Sequence, residues 1–527
     1  MHPKELSFGS EARKKLLLGI SKLSNAVKST LGPAGRTVLI ESPEHTRGIT
    51  VTKDGVTVAR SIFLSDPTEN LAVRMMKEAA DETADAAGDG TTTAIVLTEA
   101  LVVAGSELIT ADINRTEVLR SLRIKSEKVV AQLKAWSSPI SEKQIEYIAT
   151  ISANNDNQIG GIISDTYKRV GKSGIVTIEH SLTDDTHIDV IKGIRVLRGY
   201  SSPLFVNNQE RDECVYEDVH ILVSDAEISN HLQIENVLKP IIDGGKKLLI
   251  IAPCSKNMIN TLAANVMKMG LKLCNIQPPD FGYRQKELMQ DIATAVGATY
   301  FSEGTGDDLS LMNYTDLGRA SKVIVGRDST VIMNDGDDVE EHVADRIAEL
   351  QVAYKEAKKK VNKDFIEQRI ASLTGGIGVV YVGGSTDLER KELMDRVEDA
   401  VCAVRSALEE GILPGAGIPL YILSLEEGID QREEDRIAES ILKAALSAPL
   451  KQILENGGLD VSEIYSKEHT EGYVFGYGYD LKGRAYGDLK DLGVVDPTKV
   501  TRTALENAIS VAITILSTDC IVTMDRK

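Results

Sequence analysis

The sequence predicts a multidomain α+β protein in which both chain ends build one mostly helical domain and an α/β domain is inserted between them. Three observations carry this expectation. The first and last hundred or so residues share an Ala-rich helical pattern, whereas 191–375 alternate short apolar runs with helical segments. Within that middle part, 219–223 and 248–252 are continuous apolar runs of the kind that form buried strands, each followed by a helical pattern. The length of 527 residues would divide into about three or four domains. Hydrophobic residues at 42% and charged residues at 26% suit a globular chain with a sizeable core. The net charge of -19 argues against nucleic-acid or anionic-membrane partners, which need clustered Lys and Arg. Five scattered cysteines without a Cys-x-x-Cys pair fit a reducing compartment. The charged N-terminus does not read as a signal peptide, and no stretch reads as long and apolar enough to span a bilayer. The expectation is a soluble, cytoplasmic protein.

In chain order, 11–28 read as an amphipathic helix, because Leu16, Ile20, Leu23 and Val27 recur at helical spacing. It ends at Thr30-Leu31-Gly32-Pro33, which suits either a ligand-contacting loop or a plain turn. Residues 37–40 and 50–58 alternate as strands would, joined through Pro43, His45 and Gly48, with Thr52-Lys53-Asp54-Gly55 as a charged turn inside the second run. That turn is either a solvated hairpin or the seat of a catalytic carboxylate. Residues 71–87 and 94–103 read as helices flanking Gly88-Asp89-Gly90-Thr91-Thr92-Thr93. The glycines break the first helix, and the threonines open the second with unpaired N–H groups, where roughly half a positive charge receives phosphate. Asp89 in that turn would repel a bare phosphate and suits one that arrives with Mg²⁺. The same residues also suit a capped helix-turn-helix, and the stretch alone does not choose between the two. Residues 111–134 read as a helix. Gly171-Lys172-Ser173 imitates the end of a P-loop, but position 166 is Thr where that loop needs glycine. Strands are expected at 175–178, 187–191 and 378–382, and a charged helical region with a solvated face at 339–373. A helix at 387–410 carries Asp399, and the Gly-rich segment 411–417 reads as a turn that opens another helix.

Thr30-Leu31-Gly32-Pro33, Thr52-Lys53-Asp54-Gly55-Val56 and Gly88-Asp89-Gly90-Thr91-Thr92-Thr93-Ala94 together resemble the ATP site of a group I chaperonin, the bacterial and organellar GroEL type, in order and separation. Ile151-Ser152-Ala153-Asn154, Arg198-Gly199-Tyr200, Leu288-Met289-Gln290-Asp291, Arg396-Val397-Glu398-Asp399 and Asp496-Pro497-Thr498-Lys499 extend the resemblance over essentially the whole chain. It implies an equatorial ATPase domain (1–134 and 410–527), an intermediate hinge domain (135–191 and 376–409) and an apical substrate-binding domain (192–375). It implies ATP, Mg²⁺ and K⁺ as cofactors. Asp54 and Asp399 would position or activate the attacking water, Asp399 reaching the nucleotide when the hinge domain swings down. Asp89 would hold Mg²⁺, Gly90, Thr91, Thr92 and Thr93 would cradle the phosphates, and Thr30, Lys53 and Thr92 would help bind K⁺. Leu31, Gly32, Pro33, Ile151, Ser152, Gly415, Asp480, Leu481 and Asp496 would line the nucleotide. Tyr200, Leu204, Phe205, Leu238 and Ile259 would form an exposed apolar groove for clients. The implied partners are a homo-oligomeric ring of about seven subunits, single or double, non-native polypeptides and a co-chaperonin lid.

The chain departs from the family pattern at Ala416, Asp480 and Leu481 near the nucleotide, and at Glu235, Ala263 and Ala264 in the apical groove. A charge and two smaller side chains reduce the apolar area offered, which implies a narrower client range or a weakened co-chaperonin contact. Lys451 and Asp460 stand where relatives make charged ring-to-ring contacts. The leading function is an ATP-driven folding chamber. The alternatives are a ring scaffold or client-specialised chaperonin with altered co-chaperonin dependence, and a small-molecule ATPase, against which the absence of a Walker or Rossmann fingerprint stands.

Overall fold

The computed structural model of the chain describes residues 4–41, 49–171, 174–181, 183–209, 211–334, 340–357, 360–426, 431–465 and 475–524. The expected loop through Pro43, His45 and Gly48 and the Lys172-Ser173 pair lie outside them. The chain forms two compact units, one from 1–164, 182–185 and 382–527, the other from 165–181 and 186–381.

The first unit is built on helices α1 (Gly9–Lys28), α3 (Pro67–Ala87), α4 (Thr91–Leu108) and α5 (Arg115–Trp136), together with α15 (Glu433–Asn456) and α17 (Thr498–Ser517). One apolar core runs from Ala12 through Leu133 and resumes from Leu413 to Ile521, so the two chain ends close on each other. Its α1 members Ala12, Leu16, Ile20, Leu23 and Val27 follow the helical spacing read from the sequence. Strands β1 (Lys4–Phe8) and β17 (Cys520–Met524) pair antiparallel, with Leu6 opposite Val522. The expectation that no stretch is long and apolar enough to span a bilayer is corrected by α4, whose mean hydropathy is 1.3 over 18 residues. Its Ala94, Ile95, Leu97 and Leu101 lie in the core of this unit, which accounts for that hydropathy.

A second correction concerns 50–58. Strand β2 (Val38–Glu41) pairs with β3 (Ile49–Thr52), but β3 stops at Thr52 and helix α2 (Gly55–Ser61) begins. Asp54 is its cap, its carboxylate accepting from the N–H groups of Val56 and Thr57 at 3.2 and 2.7 Å. Two filled helix-end donors outweigh the alternation of a short apolar run. Helices α6 (Glu142–Ser152) and α13 (Asp387–Glu410) complete the walls of the site. The 411–417 turn contains a short strand, β13 (Ile412–Pro414), paired with β16 (Val495–Pro497).

In the second unit the long strand β6 (Cys214–Ser224) is flanked on one side by antiparallel β10 (Gly318–Val325) and on the other by parallel β7 (Lys247–Ile251) and then β8 (Leu273–Ile276). The runs expected at 219–223 and 248–252 are the paired, buried parts of β6 and β7. Helices α8 (Glu235–Asp243), α9 (Lys256–Met269) and α10 (Gly282–Val296) belong to the same α/β body. The charged region expected as one helical stretch is two helices, α11 (Glu340–Glu356) and α12 (Lys360–Thr374). Not all of its charges are solvated. Arg369 reaches Asp291 of α10 at 2.6 and 2.9 Å, both side chains being 3% exposed, and Arg346 reaches the same carboxylate at 2.9 Å.

Candidate functional site

Within the first unit the N-termini of α2 and α4 meet. A Cβ on Gly55 would stand 1.9 Å from the Thr92 hydroxyl, so only glycine lets the two helix ends approach this closely. Gly88 ends α3 at φ 73 and Gly90 caps α4 at φ 86, both left-handed. A Cβ on Gly88 would strike Cys402 of α13, and one on Gly90 would strike Val500 of α17. The turn is thus clamped between two helices, with Asp89 presented between its glycines. Asp89 accepts from the Gly90 N–H at 2.5 Å and from the Ser152 hydroxyl of α6 at 2.9 Å.

These residues line a cleft of 490 Å³, the size of a small-molecule site. Its walls include Thr30, Leu31, Gly32, Pro33, Lys53, Asp54, Asp89, Gly90, Thr91, Thr92, Thr93, Ile151, Ser152, Asp399, Asp480, Leu481 and Asp496. The fold therefore brings together residues separated by more than 400 positions. Gly415 is the exception: it is buried behind the wall with its N–H on the Val494 carbonyl at 2.9 Å, and Ala416 and Gly417 face the cleft instead. Ala416 sits at φ 59, a left-handed conformation that costs a Cβ-bearing residue about 1 kcal/mol. Asp480 lines the cleft with both oxygens engaged, accepting from the Lys482 and Gly483 N–H groups at 2.9 Å each in the turn after strand β14 (Tyr477–Asp480). The Thr30 hydroxyl is likewise engaged, donating to the Val27 carbonyl at 2.8 Å.

The electrostatics of the cleft are those of crowded carboxylates. Burial, and then the charge of Asp54, push Asp89 up from its ordinary range against the pull of its two hydrogen bonds. Burial and the charges of Asp89 and Asp54 push Asp399 well up. Asp399 lines the same cleft as Asp54 and Asp89. Asp496 is pushed up to about 7 by burial and by Asp89, while the Gly417 N–H pulls it down. Asp395, one turn before Asp399 and overlooked in the sequence, is pushed up to about 6 by burial and by Asp54. Its spacing of four from Asp399 was the available signal. Among the described residues, no group of three His, Cys, Asp or Glu side chains could hold a metal by itself. The donor set fits Mg²⁺ that takes one or two carboxylates and completes its shell with phosphate and water.

Asp496 sets a pH dependence. Folded Asp496 keeps its proton up to about 7, whereas the ordinary carboxyl value is 3.8, so its contribution to stability is complete below 3.8 and is lost as pH rises through 7. Asp496→Asn is expected to raise the Tm of the nucleotide-free protein at pH 8 and to change it little at pH 4. Thermal denaturation at both values checks this, and equal shifts would remove the account.

The residues expected to form an exposed client groove divide in the second unit. Leu204 is 50% exposed, and Tyr200 and Ile259 are half-buried. Phe205 and Leu238 are buried members of the apolar core, at 1% and 9% exposure, and as placed offer almost no surface. Among the described residues, the exposed apolar side chains of this unit also include Leu197, Leu232, Met267, Met269, Phe281, Tyr283 and Leu311. The resemblance implies these positions from motifs alone, and a motif does not fix which neighbours close over a side chain. Glu235 is exposed in the first turn of α8, Ala263 is buried and Ala264 half-buried. In the first unit Lys451 and Asp460 are exposed, Asp460 capping a short helix through the Ser462 N–H at 2.7 Å.

The two-ended helical body, the inserted α/β body and the carboxylate-lined cleft at a helix N-terminus define a chaperonin fold. Two structures of the chaperonin gp146 from bacteriophage EL 2 (Pseudomonas aeruginosa), both determined in the presence of ATP-BeFx, match it. Crystal form II superposes with a TM-score of 0.73 at 22% identity, covering 99% of each chain. Crystal form I does so with a TM-score of 0.64 at 23% identity, again over 99% of each chain. Residues 23–526 match the TCP-1/cpn60 chaperonin family, and the chain belongs to that family.

Proposed function

We propose that the protein is an ATP-hydrolysing chaperone that works as a homo-oligomeric ring of about seven subunits, single or double, and binds non-native polypeptides in the cytoplasm. The observation that carries this reading is the convergence of Asp54, Asp89 and Asp399 at the N-terminus of α4. Three carboxylates around a phosphate-compatible helix end have a use when a cation offsets their charge. Mg²⁺ would be held at Asp89 and would neutralise phosphate charge, and K⁺ would lie near Thr30, Lys53 and Thr92. Asp54 and Asp399 would orient water and accept its proton, burial and the neighbouring carboxylates raising the proton affinity of Asp399. The domain boundaries at 134, 191, 375 and 409 and the use of a co-chaperonin lid belong to the same proposal.

Ring formation is supported by two ribbons with apolar surface exposed. Leu6, Phe8, Val522 and Met524 on β1 and β17, and Leu39, Ile49 and Val51 on β2 and β3, are all more than half exposed. Two-stranded ribbons are marginal alone and gain by pairing. Native mass in solution with and without Mg²⁺-ATP and K⁺ tests the proposal. A mass of seven or fourteen subunits is expected, and Leu39→Glu is expected to lower it. A monomer under all conditions would overturn the ring. A client-specialised variant of this function is favoured by exposed Glu235 and buried Phe205 and Leu238, which leave a smaller apolar groove.

A further inference from the structure

The cleft has a second end, away from Asp89, and α6 measures the distance to it. Ser152, at the end of α6, holds Asp89. Tyr147 stands five residues earlier on the same helix, about 7.5 Å along its axis. A second element arrives at the same place: Gly493 is three residues before Asp496, at most about 10 Å away along the chain. The two meet. Three ring atoms of Tyr147 lie 3.1 to 3.2 Å from where a Gly493 Cβ would stand, so the ring lies directly against bare backbone, at a residue with φ 80. Tyr147 is half-buried and lines the cleft, and Lys143 Nζ stands 5.3 Å from its ring centroid.

The walls near this end mix charged groups with apolar and aromatic ones, Asp480 and Lys482 lining the cleft on either side of Leu481. Tyr479, Leu481, Leu492 and Val494 line the cleft. Tyr479 packs edge-on to Tyr486 with ring centroids 4.9 Å apart, and its N–H donates to the Tyr465 hydroxyl at 3.1 Å. Leu481 rests on Gly457 at the end of α15, where a Cβ would approach within 2.6 Å of it. Helix N–H groups and the carboxylates around Asp89 thus mark one end of the cleft, and about one nucleotide length away rings and aliphatic side chains, with Asp480 and Lys482 beside them, form a preformed slot.

We infer that Tyr147 is the aromatic wall against which the base of the bound nucleotide packs, making it a determinant of this site's affinity for nucleotides over bare phosphate chains. The inference rests on the nucleotide reading proposed above. Tyr147 is a binding residue that touches no reacting atom, so its loss should weaken substrate binding and leave the chemical step unchanged. Its recognition is of the flat face of a heterocycle, an interaction that every base offers and a phosphate chain does not.

The test compares Mg²⁺-ATP with Mg²⁺-tripolyphosphate, which carries the phosphates without ribose or base, by titration calorimetry on the full chain in K⁺ buffer. Tyr147→Ala is expected to weaken ATP binding about tenfold, to leave tripolyphosphate affinity unchanged, and to raise KM with kcat unaltered. Tyr147→Phe, which keeps the ring, is expected to bind both ligands as the native protein does. Unchanged ATP affinity in Tyr147→Ala overturns the assignment. Equal weakening of both ligands also overturns it, because the ring would then act through the packing of α6. A native protein that binds neither ligand overturns the nucleotide reading itself, a result distinct from failure of Tyr147 alone.

Discussion

Asp399→Asn is expected to bind Mg²⁺-ATP at least as tightly as the native protein and to hydrolyse it a hundredfold or more slowly, about the loss that accompanies removal of a general base. Burial, Asp89 and Asp54 all raise the proton affinity of Asp399, which favours its accepting a proton from water. The amide keeps the shape and removes the basic oxygen. It also removes one of the negative charges facing Asp89, which is why binding should not suffer. Single-turnover hydrolysis alongside equilibrium nucleotide binding separates the two effects. Unchanged turnover would show that Asp399 does no proton transfer and would move that role to Asp54. Loss of binding together with turnover would show a structural role for the side chain in seating α13.

Arg369→Ala should carry the largest stability cost in the second unit, about 3 kcal/mol. Arg369 and Asp291 are each 3% exposed, and their fork-to-fork pair at 2.6 and 2.9 Å leaves the carboxylate without water. Removing one partner strands the other, whereas Arg346 at 2.9 Å offsets part of that charge. A fall in the unfolding temperature of this unit by about 5 to 10 °C is expected from that energy. Restoring an apolar core with Arg369→Met and Asp291→Leu together should recover much of the loss, because the buried pair is then gone and Arg346 keeps Glu287 and Glu349 as partners. Thermal denaturation of the single and double variants checks this. A single variant as stable as the native protein would mean that Arg346 alone suffices for Asp291.

Some of the architecture was legible because it is written in short-range chemistry. The helix α1 follows from apolar residues at spacings of three and four, and α13 was bounded at both ends as read, from Asp387 to Glu410. Strands β6 and β7 were legible because a strand buried on both faces is apolar without alternation. The Gly88-Asp89-Gly90 turn was legible because two left-handed positions in three residues call for glycine. The carboxylate cluster was less so. Asp54 and Asp399 could be linked to Asp89 through a resemblance of motifs, and nothing in their own surroundings in the sequence separates them from solvated carboxylates.

The errors have one physical origin. Residues 50–58 alternate as a strand would, yet Asp54 caps a helix, because two backbone N–H groups close enough to fill its carboxylate outweigh a weak pattern. The resemblance implies a groove role for Phe205 and Leu238, and both are buried here, because burial is decided by which neighbours close over a side chain. Gly415 yielded its place in the cleft to Ala416 and Gly417 through a register that only the β13 and β16 pairing sets. Tyr147 carries no motif at all, and its place beside Gly493 arises from two segments more than 300 residues apart. By itself the sequence determined the elements, the glycine turns and the phosphate-compatible helix end, since each depends on neighbours within a few residues. Only the tertiary structure decided which carboxylates share a cleft, which apolar side chains stay in water and what lines the far end of the site, because proximity and desolvation are properties of the packed chain.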